Sequence, residues 1–85
     1  MQIKDIYAKI KEGCKEKDIN IYKTEGYLSA TKIVERIGKN DIESLITGMT
    51  EASRDSKNAK DSNATLDAMG AFVAYYEAYE KELNR

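Results

Sequence analysis

Hydrophobic residues recur at helical spacing along almost the whole chain. Ile3, Ile6, Tyr7, Ile10 and Cys14 fall at i, i+3, i+4, i+7 and i+11, a continuous stripe for a first helix over residues 2–17. The pattern breaks at Asp18–Lys23, where Ile19 and Ile21 alternate with polar residues. A short extended link suits this segment better than half of a hairpin, since no second strand-like run follows to pair with it. Thr24 and Glu25 then offer an N-cap and a first-turn carboxylate for a second helix over residues 24–38, with Tyr27, Ala30, Ile33, Val34 and Ile37 inside and Gly38 as its stop.

Asn40 followed by Glu43 reads as the start of a third helix, residues 40–57, with Ile42, Leu45, Ile46, Met49 and Ala52 as its stripe. A polar run from Arg54 to Asn63 ends it, and Ser62 or Asn63 caps a fourth helix over residues 62–84. Its inner stripe is Leu66, Met69, Phe72, Val73 and Tyr76. The expected fold is therefore all-α, a small four-helix bundle in one domain of residues 1–85. Its alternative is an α+β fold with a short hairpin near residues 19–28. The expected core is Ile6, Ile10, Ile33, Ile37, Ile42, Leu45, Ile46, Met49, Leu66, Met69, Val73 and Tyr76.

Composition removes several kinds of chemistry. With no His and one Cys, the 85 residues hold no imidazole base, no Ser-His-Asp or Cys-His pair, no internal disulfide and no Cys₄ or Cys₂His₂ zinc set. The five glycines stand apart and form no phosphate-cradling loop, and no carboxylate pair reads as a general acid and base. The expectation is a non-enzyme with no cofactor and no metal. Asp55–Asn63 has alternating oxygen donors but lacks the central glycine and terminal Glu of a calcium loop.

Membrane and DNA partners are not expected either. No stretch approaches the roughly 18 apolar residues of a membrane span, and Met1–Ile10 lacks the apolar region of a signal peptide. With Cys14 as an unpaired thiol, a cytoplasmic location follows most simply. The segment around Gly38 has the outline of a helix-turn-helix, but its second member opens Asn40-Asp41-Ile42-Glu43 and carries no basic residue until Arg54. Carboxylates there would repel a phosphate backbone. Eleven Lys against three Arg, and nine Ile against four Leu, point to A+T-rich coding, which suits a microbial, phage or mobile-element origin.

Two functional readings remain. In the leading one the chain is a non-catalytic interaction protein (a regulator, adaptor or inhibitor) docking on a partner protein through a helical surface. The fourth helix is the expected interface, through Phe72 on its core stripe, through Tyr75 and Tyr79, which lie beside that stripe and are surplus to it, and through the small-residue strip Gly70, Ala74 and Ala78. A self-complementary patch of this kind would also make a homo-oligomer. The alternative is an oligomeric binder of a nucleotide or other small anion. Residues 1–39 carry a net charge of +3 against −4 for residues 40–85, and Lys4, Lys11, Lys15 and Lys23 with Tyr22 and Tyr27 would supply charge and stacking.

Overall fold

The computed structural model describes residues 2–37 and 41–84. Four helices follow one another: α1 (Ile3–Glu16), α2 (Glu25–Ile37), α3 (Ile42–Asn58) and α4 (Ser62–Leu83), with one 3₁₀ turn at Ile21–Lys23 between the first two. The fold is all-α, and no strand occurs among the described residues, so the hairpin alternative for residues 19–28 is set aside. Ile21 in the 3₁₀ turn is buried, which explains the alternation read there: both isoleucines face inward from a tight connection, Ile19 half-covered.

The caps are local chemistry. α1 ends in a Schellman motif: the Ile19 N–H reaches the Cys14 carbonyl at 2.8 Å and the Asp18 N–H reaches that of Lys15 at 3.2 Å. Asp18 itself takes the left-handed conformation, φ 57°, usually left to glycine. Thr24 caps α2, its hydroxyl accepting the Tyr27 N–H at 3.2 Å and donating to the Ile21 carbonyl at 2.7 Å. Asp41 caps α3 by accepting both the N–H and the Oγ–H of Ser44, and Asp61 caps α4 by accepting the Ala64 N–H at 2.8 Å. The α4 cap thus precedes the expected Ser62 or Asn63, while Gly38 and Asn40 lie outside the described residues.

α4 is the axis of the molecule, with α2 and α3 packed along it and α1 joined to it more sparsely. Phe72, Val73, Ala74, Tyr75 and Tyr76 are consecutive and all buried. Five residues at 100° per step go right round a helix, so this turn has no free face. Glycines permit the close approach. A Cβ on Gly26 of α2 would run into the Asp67 carbonyl of α4, and one on Gly70 into Thr24 Oγ1 and the Tyr27 nitrogen. A Cβ on Gly48 of α3 would stand 2.6 Å from the Tyr75 ring.

The core corrects part of the expected one. Ile10, Leu45, Met49, Val73 and Tyr76 are buried, whereas Ile6, Ile37, Ile42, Leu66 and Met69 are half-buried. Ile33 (43%) and Ile46 (37%) are exposed. A helix packed against one main neighbour covers a narrower arc than a helix in a regular bundle. Ala30 carries that arc in α2, and Leu45, Met49 and Ala52 carry it in α3.

The close approaches make a sharp mutational prediction. Gly26→Ala, Gly48→Ala and Gly70→Ala are each expected to cost about 1–3 kcal/mol through overpacking, Gly26→Ala most because it meets backbone. Gly13→Ala, whose Cβ meets nothing within 4 Å, is expected to gain about 0.5–1 kcal/mol from helix propensity. Urea titration of the four variants checks the opposite signs.

Candidate functional site

The expected interface on α4 is largely consumed by the fold. Phe72 (2% exposed), Ala74 (5%) and Tyr75 (9%) lie in the core, Gly70 is buried against α2, and Tyr79 and Ala78 are half-buried. Of the i, i+4, i+8 strip of small residues, Gly70 does admit another backbone closely, but that backbone is the chain's own at Thr24–Tyr27, while Ala74 and Ala78 line a groove between α2 and α4. Tyr75 is not surplus either, because its ring fills the space that Gly48 leaves open. Ala74→Glu would place a charge in the core, so the expected effect is loss of the fold rather than dissociation of an oligomer.

The alternative ligand residues are gathered only in part. Lys11 donates a short hydrogen bond to the Tyr22 hydroxyl and lies 4.2 Å from the centre of its ring. Tyr22 in turn donates to Glu77 Oε2 at 2.7 Å, and Tyr7 donates to the same oxygen at 2.7 Å. Tyr27 meets Tyr22 edge-on at 5.0 Å, and the Tyr7 ring stacks on Tyr76 at 4.3 Å. Lys15 borders a hollow with Lys11 and Tyr22, where Glu12 and Asp18 balance the two cations. Lys4 and Lys23 are exposed and stand apart from the cluster.

This cluster is built as a latch. A carboxylate sits at its centre, the Tyr7 and Tyr22 phenols donate to it and the Lys11 ammonium donates to Tyr22, so an incoming anion meets negative charge and occupied donors. What it does is tie α1 and the 3₁₀ turn to α4. Burial, then the hydrogen bond to Glu77 and its negative charge, push the Tyr7 phenol well above the ordinary tyrosine value. Tyr27, Tyr75 and Tyr76 are shifted up as well, burial being the leading cause in each.

Open apolar surface lies along one face of α1, at its start and over its later turns. Between α1 and the first turns of α4 runs a groove of about 590 Å³ floored by Ile10, Cys14, Ile19, Leu66 and Met69. Cys14 is a small buried hydrophobe at its inner edge. Between α1 and α3 a second groove of about 300 Å³ exposes Ile3 and Ile6 beside Met49 and Phe72. A third, about 540 Å³, separates α2 from α4. Leu28, Ile33, Ile46 and Leu83 are exposed, with Leu28 and Ile33 on opposite flanks of α2, a scatter ordinary for a protein surface.

Sequence reasoning missed both the latch and the grooves. The Tyr7–Glu77 pair spans 70 residues and leaves no local spacing to read. Among the described residues no group of three acidic or thiol side chains gathers as a metal site would, and no helix is long and apolar enough to cross a membrane. Comparison with protein-family models, curated proteins and solved structures finds no match to the chain.

The latch has a pH signature. A phenol whose folded pKa exceeds its unfolded value near 10 stabilises the fold fully below that value, and the contribution is lost as pH rises above it. The melting temperature should therefore hold up to about pH 10 and then fall. In Tyr7→Phe the fall should be shallower, from a lower starting point because Glu77 loses a donor. An unchanged alkaline slope in that variant would remove the latch from the account.

Proposed function

We propose that the chain is a small non-catalytic interaction protein, a regulator, adaptor or inhibitor, that docks on a partner protein at the surface flanking α1. The observation that carries this reading is the incomplete cover over the hydrophobic core beside that helix. Ile3, Ile6, Ile19, Leu66 and Met69 belong to the apolar pattern of the chain, yet they remain half-buried along two adjoining grooves. Covering such surface is the usual source of affinity between proteins. A single free thiol fits a reducing compartment such as the cytoplasm.

Self-association through α4 is not part of the proposal, since the core takes up the residues that would have served it. The nucleotide-binder reading has the weaker support, because Lys11 is engaged with Tyr22 and Tyr22 with Glu77. Immobilised protein is expected to retain a partner from lysate of its source organism. Amine-reactive cross-linking should join that partner through Lys9, Lys17, Lys57 or Lys60, which border the two grooves. Retention of nothing beyond a blank matrix, or cross-links confined to Lys32 and Lys81, contradicts the reading.

A further inference from the structure

The charges around the α1 grooves are one-sided although the chain as a whole has a net charge of −1. On the rim of the larger groove stand Lys9 and Lys17 from α1 and Lys60 from the α3–α4 link, with Asp61 as the one carboxylate. Asp61 is already engaged, because its side chain accepts the Ala64 N–H and caps α4. Lys9, Lys17 and Lys60 are exposed, and no hydrogen bond or ion pair joins their side chains to another described residue. The neighbouring groove repeats the sign with exposed Arg54 and Lys57 and no acid in its lining. The groove between α2 and α4 carries the opposite balance, Glu35, Glu77 and Glu82 against Lys81.

From this we infer that the groove between α1 and the start of α4 receives an acidic, apolar segment of the partner: aliphatic or aromatic side chains on Ile10, Ile19, Leu66 and Met69, and carboxylates against Lys9, Lys17 and Lys60. The inference rests on the interaction reading above and adds the chemistry of the partner. An apolar floor with a rim of one sign selects by both terms. The floor supplies affinity, while the lysines favour carboxylate-bearing segments and repel basic ones. A volume near 590 Å³ is that of a site for a few side chains rather than for a whole domain face.

Gly13 provides the means to test it. It lines the groove, and a Cβ there meets nothing within 4 Å, so Gly13→Phe starts its side chain in open space at the groove it is to fill. The probe is a fluorescein-labelled peptide with Leu and Phe at helical spacing and Glu and Asp between them; in its control Lys replaces every acid. Fluorescence anisotropy should show saturable binding of the acidic peptide only, weakened at least tenfold by Gly13→Phe. The triple charge reversal Lys9→Glu, Lys17→Glu, Lys60→Glu should weaken it as much, and added salt should weaken binding to the unmodified protein. Circular dichroism should show unchanged helix content in both variants.

Equal binding of the two peptides, or full binding by Gly13→Phe with its helix content intact, overturns the inference. So does competition by decanoate or ATP at the peptide's own concentration range, which would make this a small-anion site. Failure of the peptide while a captured partner still cross-links through Lys9, Lys17 or Lys60 rejects only the acidic chemistry. Failure of both rejects the interaction reading as well.

Discussion

The structure depends on how closely other helices can approach α4. That helix is buried all the way round at Phe72–Tyr76, so its neighbours must reach it from several sides at once. Gly26 and Gly70 let α2 lie backbone to backbone against its first half, and Gly48 lets the Tyr75 ring enter α3. In a chain of 85 residues, where the core is thin, this arrangement concentrates burial on one helix instead of sharing it among four equal ones. The exposed positions of Ile33 and Ile46 follow, because α2 and α3 each need only a narrow arc to meet α4.

α1 joins this unit differently. Ile10 and Cys14 reach the core, and the Tyr7 ring stacks on Tyr76 while its hydroxyl meets Glu77. Side chains rather than close backbone contact hold it, and a helix held that way stands off from its neighbours and leaves channels along its inward face. Those channels are the apolar grooves on which the proposed partner surface is built. The polar latch and the open surface thus have one cause: a helix tied to the unit of α2, α3 and α4 at a few points. The same latch argues against a small anion at the Lys11–Tyr22 cluster, since its central group is itself a carboxylate.

The helices themselves were legible in the sequence to within a residue or two, because periodicity, caps and the polar run before α4 all agreed. Cap identity was harder where suitable side chains adjoin. Asp61 and Ser62 can each cap a helix, and the choice falls on whichever has extended backbone in the folded chain. The small-residue strip Gly70, Ala74, Ala78 announced a close helix contact but could not say with what, and the answer, at Gly70 alone, was the start of α2 of the same chain. Tyr75 and Tyr79 looked surplus because one stripe per helix was assumed; a central helix buries more. The grooves could not be read at all, since they arise from what α1 fails to cover.

Native-state hydrogen exchange tests the division between a glycine-packed unit and a tethered first helix most directly. Amides in the middle of α3 and α4, around Met49 and Val73, should exchange only through global unfolding. Those of α1 around Ile10 should exchange through a separate opening of lower free energy, and Tyr7→Phe should lower it further. If the α1 amides are protected to the same free energy as those of α4, and follow them together in Tyr7→Phe, then α1 is an integral part of one cooperative unit and the account is wrong.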